Sequence, residues 1–494
     1  MSGGRAGVRG GGGACATLSG MDRGRTEDVA VSGIAAGGEG VGRLGDGRAV
    51  FIRGALPGER VRVVVTEERN RFARGEVAEV LEAAAERVAP PCPRVAEGCG
   101  GCDWQHVAPA AQRALKARIV TDALRRIGRL DPPEPDLGPD LPAEGWRTTV
   151  RALVTDDGRA GFRLRHSHDA LAVGDGGCLV AHPLVDEVLG HGRFPPPVRE
   201  VTIRAGVATG ERLVLCAPAA TGRDEPDGTS GGAADPVHPA DPADPHLADP
   251  ADPADPHPAD PAGPAGGGDD LDAAGGAGGA DGRNPETRLV EVPDGVVVVG
   301  ADELAAGRRA WIHEVVAGRR WRVSAESFFQ GRPDGAEALV AAVTGALGEA
   351  LSPGAVVVDL YSGVGLFAGV LGQRTGGRVV AVESNASAVA DARINLADLG
   401  EARIVRSDVR RWRPSAGEVV VADPSRHGLG ADVVARIGAT GAGALALVSC
   451  DPGALGRDAG LLAGAGWRLD SVRLIDLFPH TAHVEVVTAW FREL

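Results

Sequence analysis

The fold is decided by residues 356–365, whose sequence is VVVDLYSGVG. A run of valine and leucine around one aspartate predicts a buried strand, and the glycines after it predict a tight turn into a helix. Similar apolar runs follow, with helical patterns between them, and strands are expected at 355–360, 378–383, 402–406, 418–423 and 443–449. This alternation over residues 324–494 predicts an α/β domain, with a parallel sheet covered by helices on both faces.

The turn after the first of these strands has the features of a nucleotide-binding loop. Gly363 and Gly365 let the backbone approach a ligand closely, and Glu383 ends the next strand, where an acid commonly binds ribose hydroxyls. The third glycine of the dinucleotide pattern is missing, so an adenosyl cofactor is favoured over NAD. The alternative is an ordinary tight turn beside a surface glutamate.

A thiol and two carboxylates lie at strand ends in the same domain. Cys450 follows the apolar run 444–448, Glu485 opens the apolar strand 486–490, and Asp423 ends the fourth predicted strand. Ligands of open α/β sheets bind at the carboxyl ends of the strands. A thiol with a neighbouring carboxylate there predicts covalent catalysis with a general base. The competing interpretation of Cys450 is a buried structural cysteine.

Residues 27–82 predict a small barrel. Five short β patterns broken by glycine turns are typical of the OB type, a frequent nucleic-acid platform, although such a barrel can also lack a ligand. Residues 110–130 follow a helical pattern with basic residues such as Arg113 and Lys116, so we expect either contact with phosphates or a solvated surface. Short strands between 147 and 216, resuming at 287–299, predict a central antiparallel sheet.

Composition leaves an RNA partner possible despite the net charge of −15. Between Arg223 and Arg283 the chain carries a net charge of −12, so the remainder is close to neutral at about −3. The segment 218–287 repeats Ala-Asp-Pro and Gly-Gly units and is expected to be a disordered acidic insertion. The Gly- and Arg-rich stretch 1–23 is expected to be a disordered terminus. No apolar run is long enough for a membrane span, and a cytoplasmic location is expected.

Four cysteines predict a metal site. Cys92, Cys99 and Cys102 fall within eleven residues on a Pro- and Gly-rich stretch, and Cys178 follows at a distance. Zinc and an iron–sulfur cluster both accept four thiolates, and the spacing does not choose between them. The spacing differs from the CxxxCxxC loop of enzymes that cleave S-adenosylmethionine reductively, so that class is not favoured.

These motifs together resemble one known family, the uracil-5 RNA methyltransferases that use S-adenosylmethionine, especially the bacterial 23S rRNA branch. The resemblance covers residues 27–494 without the acidic insertion. It is carried by the four cysteines, the SFFQ sequence at 327–330, the loop 359–365, Asp423-Pro424, SCDP at 449–452, and 476–485. It implies a TRAM barrel over 24–84, a central iron–sulfur and RNA-binding domain over 85–320, and a Rossmann-like class I methyltransferase domain over 321–494. It also implies that the helix at 110–130 packs on the catalytic domain.

The resemblance also implies roles for individual residues. Cys450 would attack carbon 6 of uracil, and Glu485 would remove the carbon 5 proton. The residues that would hold S-adenosylmethionine are Gln330, Tyr361, Gly363, Gly365, Glu383, Asp408 and Asp423, with Asp423 also a candidate contact for the uracil edge. The residues that would hold a [4Fe-4S] cluster, with zinc as the alternative, are Cys92, Cys99, Cys102 and Cys178. The expected partner is RNA, and the expected state is a monomer.

The sequence leaves three alternatives to this function open. They are the same reaction on tRNA, methylation of cytosine at carbon 5, and an inactive RNA-binding protein. The chain also departs from the family pattern at three positions: Asp451 stands where Asn is usual, Ser425 replaces proline in Asp-Pro-Pro-Arg, and Leu366 replaces a polar residue after the glycine loop.

Overall fold

The computed structural model describes residues 25–165, 167–218, 287 and 289–492. The segment 1–23 and nearly all of 218–287, both expected to be disordered, lie outside these ranges. No helix within the described ranges is both long and apolar enough to cross a membrane.

Five strands at the start of the described chain close into a barrel in the order β1-β2-β3-β5-β4. They are β1 (Thr26–Ile34), β2 (Gly40–Arg43), β3 (Ala49–Arg53), β4 (Arg60–Glu68) and β5 (Phe72–Glu82). Alternate residues point inward, as Val61, Val63 and Val65 do in β4, and their apolar side chains fill the interior. The predicted small barrel is therefore confirmed.

The middle of the chain contains a helix, a sheet and the cysteine-rich segment that follows the barrel. Its elements are α1 (Pro109–Arg126), β6 (Asp136–Leu137), β7 (Thr149–Val154), β8 (Ala160–Arg163), β9 (Ala170–Ala172), α2 (Pro183–His191), β10 (Val198–Ala205), β11 (Arg212–Pro218), β12 (Val296–Gly300) and α3 (Ala301–Ala305). Six of these strands form a sheet in the order β12-β11-β10-β7-β8-β9. An apolar core lies between α2 and this sheet.

One edge of this central sheet differs from the antiparallel prediction. β11 and β12 pair in parallel, from Arg212 opposite Val296 to Cys216 opposite Gly300. Parallel neighbours need a long connection that returns the chain to the same end of the sheet. The segment between the two strands is long enough to do so, which the repeating strand pattern alone did not reveal.

The carboxyl-terminal part is an eight-stranded sheet flanked by helices on both faces, as predicted. A hairpin of β13 (Trp311–Val316) and β14 (Arg319–Ser324) precedes it. The elements are α4 (Pro333–Leu347), β15 (Val357–Leu360), α5 (Leu366–Thr375), β16 (Val379–Glu383), α6 (Ala386–Asn395), β17 (Ala402–Arg406), β18 (Val419–Ala422), α7 (Gly430–Ala439), β19 (Ala444–Ser449), α8 (Pro452–Gly464), β20 (Arg468–Leu474) and β21 (Val486–Phe491). The strand order is β17-β16-β15-β18-β19-β21-β20-β6.

The first five strands of this order are parallel, and β21 is antiparallel to both β19 and β20. Central strands such as β15 and β19 are buried at every position. That burial explains their continuous apolar sequences, because helices cover both faces of the sheet. Two apolar cores, one on each side, hold the layers together.

Helix α1 packs on the catalytic part of the chain. Val120 and Leu124 of α1 share a core with Leu455 and Ala459 of α8. The expectation of a basic face that is solvated or touches phosphates is wrong for Lys116, whose side chain is fully buried. A charged residue counts as polar in a sequence pattern, but here an aspartate far along the chain pairs with it.

The contact between α1 and α8 predicts a difference between two glycines of α8. A Cβ at position 456 would lie 2.8 Å from both the Ala123 carbonyl oxygen and the Ile127 Cβ, whereas Gly464 has open space around it. Gly456→Ala should lower the thermal midpoint, because overpacking costs about 1–3 kcal/mol and outweighs the gain in helix propensity of about 1 kcal/mol. Gly464→Ala, the matched control, should leave the calorimetric midpoint unchanged or raise it slightly. Equal midpoints for both variants would contradict this packing.

Candidate active site

Cys450 and Glu485 lie side by side at the carboxyl edge of the parallel strands. β19 and β21 pair with Ser449 opposite Val486. Cys450 directly follows Ser449 and Glu485 directly precedes Val486, so one register brings both side chains to the same edge. Cys450 is partly exposed, while Glu485 is only 4% exposed. The site therefore combines an accessible thiol with a carboxyl group held inside the protein.

The start of α8 fixes the backbone directly after the thiol. Asp451 is the N-cap of α8, and its carboxylate accepts a hydrogen bond of 2.6 Å from the Ala454 amide. Pro452 occupies the first helical position, where no amide hydrogen is needed. An asparagine oxygen would accept the same bond, so the departure from the family pattern at Asp451 preserves the local structure.

Burial and mutual repulsion keep protons on this group of side chains. Burial raises the pKa of Asp423, at the end of β18, to about 7. Burial, and then the charge of Asp423, raise the pKa of Glu485 well above its usual range, while Arg426 opposes the shift. Burial, and then Glu485 and Asp423, also raise the pKa of the Cys450 thiol. Strongly perturbed carboxyl groups beside a thiol are typical of a catalytic site.

The SFFQ segment lies against the same group. The Gln330 side-chain amide donates a hydrogen bond of 3.5 Å to Asp423. The segment is anchored from outside, because the buried Arg204 guanidinium donates to the Ser327 carbonyl at 2.6 Å. The Ser327 hydroxyl donates to the buried Asp391 carboxylate, also at 2.6 Å. Gln330 is therefore held at the edge where β18 ends.

The glycine loop after β15 has the strained backbone expected of a ligand-binding turn. Tyr361, Gly363 and Gly365 have φ angles of 62°, 55° and 95°. Such angles are ordinary for glycine but costly for tyrosine, and they persist where the surroundings impose them. The Gly363 amide donates a hydrogen bond of 2.9 Å to the Glu383 carboxylate, which links the loop to the end of β16.

Some buried polar atoms on this loop are available for hydrogen bonds to a ligand. Asp359 Oδ1 and Ser362 Oγ are buried and have no hydrogen-bond partner among the described residues. Burial raises the pKa of the Tyr361 hydroxyl to about 12, so it stays protonated and can donate a hydrogen bond. Asp408 lies two residues beyond β17 and accepts a hydrogen bond of 2.7 Å from the Arg410 amide. The unpartnered polar atoms fit a nucleoside with several hydroxyl and amino groups.

The structure thus brings all of the predicted catalytic and cofactor residues to one edge. Since β15 to β19 are parallel neighbours, the residues that follow their carboxyl ends share that edge. They are Tyr361, Gly363 and Gly365 after β15, Glu383 at the end of β16, Asp408 after β17, Asp423 after β18 and Cys450 after β19, with Gln330 beside Asp423 and Glu485 beside Cys450.

The four cysteines lie apart from that edge, around one cavity. Cys92, Cys99, Cys102 and Cys178 all line it, together with Arg147. Within the described ranges, however, no group of three or more His, Cys, Asp or Glu side chains is arranged so that it could hold a metal ion. The four thiols named from the sequence therefore line one cavity, and their predicted metal content stays a prediction.

Burial around this cavity favours neutral thiols. Burial raises the pKa of Cys102 to about 12, and Cys178 and Cys99 add to the shift. Burial likewise raises the pKa of Cys99 and of Cys178. The buried Arg147 guanidinium opposes these shifts by interacting with Cys102 and Cys178.

Sequence reasoning assigned no role to Arg426 or Arg147. The Arg426 charge acts on both Cys450 and Glu485. Its position three residues after Asp423, in the same motif, was a usable signal. Arg147 gave no such signal, because arginine is abundant in this chain and its nearness to the cysteines arises only from folding.

Comparison with known proteins agrees with this geometry. Residues 22–78 match the TRAM domain. An "Uncharacterized RNA methyltransferase" of Streptomyces avermitilis is 34% identical over 493 residues, covering 94% of this chain and 98% of the relative. The "23S rRNA (uracil(1939)-C(5))-methyltransferase RlmD" of Halomonas elongata is 32% identical, covering 93% of this chain and 88% of the relative.

A solved structure shares the fold. The Pyrococcus abyssi tRNA (uracil-54, C5)-methyltransferase, in complex with S-adenosyl-L-homocysteine, superposes with a TM-score of 0.61 over 94% of this chain and 100% of that chain, at 19% sequence identity. The sequence relatives, the TRAM match and the arrangement at the sheet edge lead to one conclusion: this chain belongs to the family of S-adenosylmethionine-dependent RNA (uracil-5-)-methyltransferases.

Proposed function

We propose that this protein transfers a methyl group from S-adenosylmethionine to carbon 5 of a uridine in 23S rRNA, through a covalent bond between Cys450 and the uracil ring. The single observation that supports it most is the register of β19 and β21, which sets the Cys450 thiol beside the Glu485 carboxyl group. In this proposal residues 24–84 and 85–320 bind RNA, and residues 321–494 perform the chemistry.

The proposed reaction uses the thiol first and the carboxylate last. The Cys450 sulfur, as thiolate, bonds to carbon 6 of the uracil, and the electrons of the ring double bond move onto an enolate at carbon 5 and oxygen 4. Bound S-adenosylmethionine would supply an electrophilic methyl group to carbon 5, with its sulfur–methyl bond breaking and S-adenosylhomocysteine leaving. The Glu485 carboxylate then removes the carbon 5 proton, the ring double bond re-forms, and the Cys450 thiolate leaves. A thiol suits both roles because it adds and leaves readily.

The glycine loop is proposed to bind the adenosyl group. Glu383 Oε1 already accepts from the Ser384 amide and hydroxyl and from the Asn385 amide. Oε2 accepts from the Gly363 amide and keeps a lone pair for a ribose hydroxyl. Tyr361, Gly363, Gly365 and Asp408 line the edge beside it, and Gln330 and Asp423 would face the reactive end. We also propose that Asp423, which lies between the cofactor and thiol sides, contacts the uracil edge.

The target RNA is proposed from the RlmD relative, with tRNA as the second candidate. The tRNA candidate is favoured by one observation, the fold shared with the Pyrococcus tRNA enzyme. Cytosine methylation uses a thiol as well, but the Glu485 context beside Cys450 suits removal of a proton from a uracil adduct. An inactive RNA-binding role would leave the perturbed carboxyl pair at the sheet edge without a purpose.

The four-cysteine cavity is proposed to hold a [4Fe-4S] cluster, with zinc as the alternative. The proposal is supported by four thiols that line one cavity and by a buried arginine that would balance the charge of four thiolates. A [4Fe-4S] cluster bonds one thiolate per iron. The cavity is away from Cys450, so the cluster would support structure and no reaction step is assigned to it.

The target and nucleophile can be tested together. Purified protein, labelled S-adenosylmethionine and RNA should give 5-methyluridine in 23S rRNA and not in tRNA or as 5-methylcytidine. Cys450→Ser should lose at least about 10⁴-fold in rate, because an unionised hydroxyl cannot add to the ring. Cys216→Ala, at a buried cysteine remote from the site, should keep the wild-type rate. An active serine variant would rule out the covalent route, and label confined to tRNA would rule out the rRNA target.

The raised pKa values predict that activity increases with pH. Cys450 and Glu485 act in their deprotonated forms, and each has a pKa above its usual range. The deprotonated forms therefore become populated only as the pH rises. The single-turnover rate at saturating substrates should climb between about pH 6 and about pH 9. Asp423→Asn removes a negative neighbour of both groups, so the climb should move to lower pH. A rate that falls over this range would contradict these assignments.

The proposed cluster predicts iron in the purified protein. Protein purified without oxygen should be brown, with about four irons per chain and little zinc. Cys102→Ser should lose the colour and most of the iron, whereas Cys216→Ala should keep both. Colourless protein loaded with zinc would replace the cluster by the zinc alternative, and metal-free wild-type protein would remove both.

A further inference from the structure

The loop that carries Glu485 has an unusual backbone conformation, and residues outside the loop hold it there. This loop joins β20 to β21, and His480 within it has a φ of 66°, in the left-handed region. For a residue other than glycine that conformation is strained and persists only where neighbours impose it. The neighbours are identifiable, since the His480 amide donates to Gln112 Oε1 at 2.6 Å and its carbonyl accepts from the Trp104 amide at 2.9 Å.

Three further hydrogen bonds hold the loop on either side of His480. The Ala482 amide donates to Asp103 Oδ1 at 3.1 Å. The Lys116 ammonium donates to Asp476 Oδ1 at 2.7 Å and to the Phe478 carbonyl at 2.9 Å. The holding residues thus come from the cysteine-rich segment and from α1, and they contact the loop from its start to three residues before Glu485.

Two of the side chains that hold the loop are fully buried, so water cannot replace their hydrogen bonds. Gln112 and Lys116 are 0% exposed, so their polar atoms must find partners inside the protein. A buried ion pair contributes little net stability compared with apolar packing, but breaking it leaves a charge without a partner. The Lys116–Asp476 pair therefore acts mainly by fixing geometry.

The barrel packs against the remaining side of the 476–485 loop. The Trp104 indole donates to the Gly38 carbonyl at 3.0 Å, and a Cβ at position 38 would lie 2.6 Å from the Trp104 indole nitrogen and would collide with the Ala482 side chain. The loop therefore has no free space in which to shift toward the barrel, and its position is set by three separate parts of the chain.

We propose that Asp103, Gln112 and Lys116 are positioning residues that hold the 476–485 loop so that the Glu485 carboxylate reaches the carbon 5 proton. They do not touch the substrate and act through the loop backbone. This inference rests on the proposed role of Glu485. Because Asp103 directly follows Cys102, it also ties the thiol-lined cavity mechanically to the base.

The proposed order of steps gives the inference a specific signature. Glu485 acts only after Cys450 has bonded to carbon 6 and carbon 5 has gained its methyl group. A displaced Glu485 would leave those two bonds forming normally but slow the loss of the proton. The protein would then accumulate as a covalent adduct with methylated RNA, whereas general damage to the fold would lower adduct and product together.

The test compares four variants of the full-length protein. Asp103→Ala and Gln112→Ala remove acceptors for the loop amides, and Asp103→Asn keeps an oxygen that can accept from Ala482. Thr121→Ala is the matched control on α1, because among the described residues the Thr121 hydroxyl bonds to the Ala117 carbonyl of the same helix and to no part of the loop. The measurements are turnover, KM for RNA, iron content, thermal midpoint, and the fraction of labelled methyl groups that stay with the protein on a denaturing gel.

We expect Asp103→Ala and Gln112→Ala to lose at least about tenfold in kcat, with KM for RNA unchanged and the labelled adduct increased several-fold. Asp103→Asn and Thr121→Ala should match the wild type. Parallel loss of adduct and product, or wild-type turnover in both alanine variants, would overturn the inference. Wild-type protein that forms neither adduct nor methylated RNA would instead overturn the proposed function of the site.

Discussion

Ser449 of β19 pairs with Val486 of β21, and this pairing determines where Cys450 and Glu485 lie. Side chains alternate along a strand, so a slip of one residue would turn Glu485 to the opposite face of the sheet. Buried polar contacts pin the register, because the Thr488 hydroxyl donates to the Leu447 carbonyl and accepts from the Trp490 indole. The chemistry of the edge therefore depends on the packing of a strand pair several residues away.

The same edge brings together acidic groups that are largely buried and that therefore hold their protons. Asp423 and Glu485 repel each other there, and Arg426 is the cation that offsets them next to Cys450. In water such groups would ionise independently, but in a low dielectric each proton taken up or released changes its neighbours. A positively charged methyl donor bound beside them would favour release of those protons, so its binding would be coupled to ionisation of the thiol.

Most strands of the catalytic-domain sheet and the site residues at their ends are predictable from the sequence, because the patterns that indicate them are local. Buried parallel strands are continuous apolar runs, so the strand ends at Glu383, Asp423 and Cys450 were predicted closely. The interactions that the sequence did not reveal join distant residues. Nothing near Lys116 indicates that its partner is Asp476, and the contact of Asp103 with Ala482 exists only once the barrel, the cysteine-rich segment and the catalytic sheet have met.

Lys116 is the only lysine in the 494 residues, and it is fully buried. Every positive side chain that this protein can offer to an RNA backbone is consequently an arginine or a protonated histidine. Guanidinium groups bind phosphate oxygens in pairs and stack on exposed bases, which a compact ammonium does not do as well. Chemical reagents that modify side-chain amines would find their target only when the junction between the barrel, α1 and the 476–485 loop opens.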